Sequence, residues 1–269
     1  MEVYLGTGGY ANDDWIGPLY PPGTKPAAYL SIYARHFNAV ELNASFYAIP
    51  GVKAFEGMLR RSEGRVRFAV KLHRSMTHER TATDETYRRL FESVRPLAEA
   101  GVLGPFLAQF PYAFHRTPEN RRYLLDLVER FEGYRLAVEF RHASWDREAV
   151  RAAFRERGLI WVANDYPPLK GLPKPVLYVT AEAAYLRFHG RNTRTWWEGK
   201  TQAERHDYLY TPDELAPWVR ALTEQQETIR EAWLIFNNTT NGHALRNLAM
   251  MKALLEAAGL EAPIDPPRP

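Results

Sequence analysis

The sequence predicts an α/β protein built as a single-domain (β/α)8 TIM barrel. Three observations carry that reading. Eight short apolar segments are patterned as buried strands. Most stretches between them carry helical periodicity with start and stop signals, and each is long enough for a crossover. The 269 residues match the roughly 250 of such a barrel. Residues 1–260 are assigned to the barrel and residues 261–269 to a loose, proline-rich tail.

The first strand, Val3–Gly6, starts almost at the N-terminus. Gly6-Thr-Gly-Gly9 after it looks like a phosphate turn of a doubly wound sheet, the rival fold. Gly17, Pro18, Pro21 and Pro22 forbid the helix such a turn needs, so it reads as a barrel loop. A helix over Pro26–His36 follows a threonine and has proline in its first turn. Then come strand Ala39–Asn43, helix Val52–Arg61 and strand Arg67–His73. The segment Asp84–Ala100 spaces its apolar residues near 3.6 and stops at Gly101. Strand Gly104–Gln109 leads to a helix opened by Thr117-Pro118 and running to about Glu132. Strand Leu136–Arg141 precedes a helix from Ser144 to Arg157, stopped by Gly158, and then strand Leu159–Asn164. Four prolines between residues 167 and 175 discourage a helix in the next gap, and Val176–Thr180 reads as an extra strand there. Strand Tyr185–His189, a long loop, a helix from Thr211 to about Arg230, strand Ala232–Asn237 and a helix from His243 to Gly259 complete the order.

Composition narrows the chemistry. Hydrophobic residues are 45% and charged residues 25% of the chain, which excludes wholesale disorder. Cysteine is absent, which excludes disulfides, thiolate metal sites and a cysteine nucleophile. The net charge is only +3, although arginine far outnumbers lysine. No signal peptide and no membrane-spanning apolar run is visible, so a cytoplasmic protein without a membrane partner is expected. Oligomeric state is left open.

Side chains alternate along a strand, so residues two apart share a face. Glu41 with Asn43, Lys71 with His73, Glu139 with Arg141, and Arg187 with His189 each oppose aliphatic or aromatic neighbours. Gln109 and Asn237 end two further strands. In a barrel the apolar outer face packs on helices, while inward residues at the C-terminal strand ends line the site. These ten residues are therefore expected to converge. A buried ion-pair network of Glu41 and Glu139 with Lys71 and Arg187, filling the barrel, is the structural alternative.

The chain also resembles the YecE-like family, domain of unknown function 72. The resemblance is carried end to end by Gly6-Thr-Gly-Gly-Tyr10 with Trp15 and Tyr20-Pro, Phe37-Asn-Ala-Val-Glu-Leu-Asn43 with Ser45-Phe-Tyr47, and Phe68-Ala-Val-Lys71 with Thr77-His78. It continues through Gln109-Phe-Pro, Val138-Glu-Phe-Arg-His142 with Trp145, Arg187-Phe-His-Gly190 and Phe236-Asn-Asn238. It implies a TIM-barrel fold and no particular reaction.

The residue set suits proton transfer on a small anionic or phosphorylated polar ligand, in an isomerase, lyase or hydrolase. Glu139 or Glu41 serves as base, and His189, or His73 if it reaches inward, as acid. Lys71, Arg141 and Arg187 hold the anion. Asn43, Gln109 and Asn237 orient polar groups. A Schiff-base role for Lys71 is weighed against a lysine salt-bridged to Glu41 or Glu139. No cofactor is predicted. A divalent metal on Glu41, Glu139, Asp165 and His189 is disfavoured by the interleaved cations. Trp196 and Trp197, in the arginine-rich loop after the seventh strand, read as a lid or as a platform stacking nucleic-acid bases. A nucleic-acid-binding or phosphodiester-processing protein, and a non-enzymatic binding protein, are the alternatives to an enzyme.

Overall fold

The computed structural model describes residues 1–267. Eight parallel strands close into a barrel in sequence order. They are β1 (Glu2–Gly8), β2 (Ala39–Leu42), β3 (Arg67–Lys71), β4 (Leu103–Gln109), β5 (Leu136–Glu139), β6 (Ile160–Asp165), β7 (Ala183–Phe188) and β8 (Glu231–Phe236). Closure runs in register from Glu2 opposite Glu231 to Thr7 opposite Phe236. Around it lie α1 (Pro26–His36), α2 (Val52–Ser62), α3 (Arg74–Thr77), α4 (Asp84–Glu99), α5 (Pro118–Arg130), α6 (Glu148–Arg157), α7 (Gln202–His206), α8 (Pro212–Glu224) and α9 (His243–Ala257).

Local chemistry explains the helix boundaries. The Thr117 hydroxyl accepts the Asn120 amide at 3.2 Å to start α5, and Thr211 and Glu214 form a capping box on α8. Gly158 ends α6 in the left-handed conformation, at φ 63°. The short helices α3 and α7 have no sequence periodicity to announce them. Each is set by one cap: the His73 imidazole accepts the Ser75 amide, and the Thr201 hydroxyl accepts the Glu204 amide.

Three expectations need correction. Val176–Thr180 is not a strand. Instead the Thr180 hydroxyl accepts the Trp161 amide at 3.0 Å and donates to the Leu159 carbonyl at 2.7 Å, so one side chain satisfies the backbone that a neighbouring strand otherwise would. The tail is not loose through Asp265: Ala262 and Ile264 are buried, and the Asp265 amide donates to the His36 carbonyl at 2.8 Å. Its last two residues, 268 and 269, lie outside the described residues. The helix from Thr211 also stops earlier than expected, at Glu224.

Strand alternation divides the core. Outward residues such as Val40, Phe68, Val70, Phe106, Val138, Leu186 and Leu234 join the helices in one large cluster. Inward residues form a separate cluster, with Ala39, Ala69, Leu107, Ala137, Ile160, Val162, Tyr185, Trp233 and Ile235 filling the lower barrel. The two-residue step from Phe68 to Val70 on β3 faces a three-residue step on β4, from Leu103 to Phe106. That extra residue is a bulge, where Pro105 can sit in a strand without its missing amide breaking the ladder. A Cβ on neighbouring Gly104 would lie 2.3 Å from the Trp233 ring, so the indole occupies the space a side chain would take. Gly104→Ala is therefore expected to cost about 1–3 kcal/mol by overpacking. Thermal unfolding should show a midpoint lowered by roughly 3–10 °C; an unchanged midpoint would show that the barrel floor is not packed this way.

Candidate functional site

Above the apolar layer the same inward positions turn polar. Glu41 on β2, Glu139 on β5 and Arg187 on β7 meet in the barrel interior, all buried. Arg187 donates from Nε to Glu41 Oε2 at 2.8 Å and from Nη2 to Glu41 Oε1 at 2.6 Å, a bidentate pair. Its Nη1 donates to Glu139 Oε2. Arg141, just past β5, donates from Nε to Glu139 Oε1, and the Tyr185 hydroxyl donates to Glu41 Oε2 at 2.9 Å. Four carboxylate oxygens are thus held by two guanidiniums and a phenol. Burial pushes the Glu139 carboxyl up, but Arg141 and Arg187 outweigh it and hold it below the usual carboxylate range.

This network is the floor of a cavity of about 380 Å³ at the C-terminal strand ends. Lys71, Arg141, Arg187 and Arg205 line it, with His78, His189 and His206. Asn43 and Gln109 add amides, and Phe46, Tyr47, Tyr112, Trp196 and Trp197 add aromatic wall. Among the described residues no aspartate or glutamate lines it. The carboxylates are therefore placed differently from the expectation for a base: Glu41 and Glu139 lie beneath the arginines, off the cavity wall, with every oxygen engaged.

Lys71 also departs from the salt-bridged alternative. Among the described residues its ammonium has neither an ion pair nor a hydrogen-bond partner, and Nζ rests 4.5 Å from the Phe46 ring centre. Burial, then the Arg187 charge, lower its pKa to about 8. The histidines are neutral for the same reasons. Burial and the nearby Arg141 and Arg187 push His206 down to about 3 and His189 well below its ordinary value. Burial and Lys71 push His78 down to about 4. His206 Nδ1 donates to the Asn237 carbonyl at 3.1 Å, and His189 Nε2 faces Arg141 Nη2 at 3.3 Å and Arg187 Nη1 at 3.4 Å.

The other expected residues divide. Gln109 lines the cavity and donates to the Phe110 carbonyl at 2.8 Å. Asn237 stays buried behind the wall, its Oδ1 3.5 Å from Arg187 Nη2. Asn43 Oδ1, His189 Nδ1 and Asn237 Nδ2 are buried with no hydrogen-bond partner. A Cβ on Gly8 would fall 2.0 Å from Asn237 Oδ1, so glycine there lets the two asparagines approach β1. His73 does not reach inward; Ser75 engages it as the cap of α3. Trp196 is buried against Tyr166, with the Arg141 guanidinium 6.0 Å from its ring, while Trp197 stands exposed on the rim beside Tyr112. Asp165, weighed as a metal ligand, is engaged by Arg191, Tyr210 and Trp218. Among the described residues no three His, Asp or Glu side chains are grouped to hold a metal ion.

Strand alternation does not reveal His78, Arg205, His206, Phe46, Tyr47 or Tyr112, because none lies on a strand. Only Ser45-Phe-Tyr47 and Thr77-His78 carry a sequence signal, as matched segments of the family resemblance.

Comparison with known proteins agrees with this architecture. Residues 4–269 match the family described as protein of unknown function DUF72. The UPF0759 protein YunF of Bacillus subtilis (strain 168) is 33% identical over 94% of this chain and 95% of its own length. The UPF0759 protein YecE of Escherichia coli O157:H7 is 23% identical over 62% of this chain and 60% of its own. A DUF72 family protein from Thermotoga maritima MSB8 superposes with a TM-score of 0.87 at 38% identity, covering 95% of this chain and all of that one. Another from Enterococcus faecalis V583 superposes at 0.86 with 26% identity, covering 99% of this chain and 98% of that one.

The buried neutral histidines make a pH prediction. A histidine whose folded pKa lies below its unfolded value stabilises the fold only while both states are neutral. As pH falls below about 6.5 the unfolded chain binds protons that the folded chain does not, until the folded pKa is reached. Each of His189 and His206 then removes about 1.4 kcal/mol of stability per pH unit. In urea denaturation between pH 6.5 and 4.5, His206→Asn, which keeps a donor for the Asn237 carbonyl, should flatten the slope by one proton. An unchanged slope would show that His206 titrates normally.

Proposed function

The chain belongs to the DUF72 protein family, and from that premise and the cavity's geometry we propose an enzyme that binds a small anionic, phosphorylated polar substrate and works by acid/base chemistry. The observation that carries this reading is the cavity wall: among the described residues it has four cationic side chains and no acidic one, above carboxylates already paired with Arg187 and Arg141. An anion entering there meets Arg141, Arg205 and Lys71 with no carboxylate to repel it. Arg187 is held by Glu41 and Glu139, so it contributes fixed charge rather than a mobile clamp. The imidazoles of His78, His189 and His206 are neutral in the free site, and an anion that offsets Arg141 and Arg187 raises their pKa values toward the range in which they exchange protons. Asn43 and Gln109 orient hydroxyl or carbonyl groups. Glu41 and Glu139 act through the arginines, and the reaction is of isomerase, lyase or hydrolase type.

Inorganic sulfate tests the anion site cleanly, because its charge is constant from pH 6 to 10. Calorimetric titration should show saturable binding that Arg141→Ala weakens by about tenfold or more, the worth of one charge-assisted contact. An anion favours the Lys71 ammonium, so affinity should be steady below about pH 8 and fall as the free amine forms above it. No binding, or binding indifferent to Arg141, would overturn the reading.

A second reading has its own support. Tyr47, Trp197 and Tyr112 are 67%, 52% and 37% exposed, and all three rim the cationic cavity. Exposed aromatics beside cations stack the bases of single-stranded nucleic acid. That reading requires a salt-sensitive gel shift of a single-stranded oligonucleotide that Trp197→Ala weakens by roughly tenfold, the worth of one stacked base. No shift at low salt would leave the small-substrate reading alone.

A further inference from the structure

Lys71 is the one lysine that lines the cavity; Lys25, Lys53, Lys170, Lys174 and Lys200 are exposed on the surface, and Lys252 is paired with Glu256. Its surroundings are those of an amine kept from its usual partner. The two carboxylates below it, Glu41 and Glu139, are committed to Arg187 and Arg141. The two like charges of those arginines face it, the Phe46 ring closes one side, and the neutral His78 stands on the same wall. Positive neighbours and an apolar face favour the uncharged amine, which is the nucleophilic form.

We propose that Lys71 is a covalent catalyst that captures an aldehyde or ketone group of the substrate as an imine, so that the substrate class is an anionic, most simply phosphorylated, carbonyl compound. The proposal rests on the anion-site reading above: Arg141 and Arg205 hold the anionic end while the carbonyl meets Nζ. The step balances without an oxidant or reductant. The Lys71 ammonium gives up a proton to solvent, as a fraction of it does at neutral pH. The freed lone pair attacks the carbonyl carbon, forming the C–N bond while the C=O π pair moves onto oxygen. A proton passes from nitrogen to that oxygen to give the carbinolamine. Its hydroxyl takes up a proton from solvent and leaves as water, and the nitrogen lone pair closes the C=N bond of the iminium. One water is released, and the iminium then withdraws electrons from the adjacent carbon for bond cleavage or proton abstraction.

Burial and the neighbouring arginines, by setting the Lys71 pKa near 8, leave roughly a few hundredfold more free amine at neutral pH than an ordinary lysine has. Pyridoxal 5′-phosphate, an aldehyde that carries a phosphate, is therefore the reagent of choice. The whole protein is incubated with it, reduced with sodium borohydride and mapped by peptide mass spectrometry, with calorimetric titration of inorganic phosphate alongside. The expected result is a reduced adduct at Lys71 formed at least about tenfold faster than at any of the other six lysines. Inorganic phosphate should suppress it, pyridoxal lacking the phosphate should form it more slowly, and Lys71→Arg should lose it while the surface lysines react as before. Labelling that rises with pH and levels off near 8 supports the same group. If phosphate binds but Lys71 is labelled no faster than the surface lysines, the imine proposal fails and the anion site stands. If neither phosphate nor pyridoxal 5′-phosphate binds, the anion site itself fails.

Discussion

Three strands of the barrel are tied together at one guanidinium. Arg187 reaches from β7 to Glu41 on β2 with two bonds and to Glu139 on β5 with a third, and all three side chains are buried. Stripping solvent from three charges is costly, and apolar residues such as those one layer below would fill the same space at no such cost. The polar layer is therefore a poor device for stability and a good one for holding charge in a fixed place. Removing the arginine would strand two carboxylates in the barrel, and removing either carboxylate would free the arginine to move.

That fixed arrangement sets the electrostatics of everything above it. Two carboxylates are matched by Arg187 and Arg141, so the floor is close to neutral and presents its cationic edge upward. Lys71 and Arg205 then stand on the wall without an ion-pair partner among the described residues, and the buried His189 and His206 and the half-buried His78, all facing cations, stay uncharged. The cavity thus presents cationic donors and neutral imidazoles, while the carboxylates are kept off its wall. Trp196, packed beneath the Arg141 guanidinium, closes one side and limits water. The exposed aromatics at the rim extend the site outward.

The barrel was legible in the sequence because it depends on local pattern. Alternation placed Glu41, Lys71, Gln109, Glu139, Arg187 and Asn237 on inward faces, and all six are inward in the structure. The same rule extended one step too far at His73, where the strand has already ended and the imidazole caps a four-residue helix. Pattern could not say which charges pair. Glu41 and Glu139 were equally suited to act as bases, and only the reach of Arg187 across the barrel decides that they do not face the cavity. His206 and Arg205 were hidden for a different reason. They sit on a short helix in a long loop, and nothing local to residues 202–206 specifies that this loop folds back over the strand ends. Thr180 was misread because a side chain replaces a strand ladder there, and propensity cannot distinguish the two.

A crystal structure grown with inorganic phosphate would show whether the cavity is an anion site built on a neutralised floor. Tetrahedral density contacting Arg141 and the Lys71 ammonium, with Arg187 still bonded to both Glu41 and Glu139, is the expected result. A cation coordinated by Glu41 and Glu139, with Arg187 swung away from them, would contradict it.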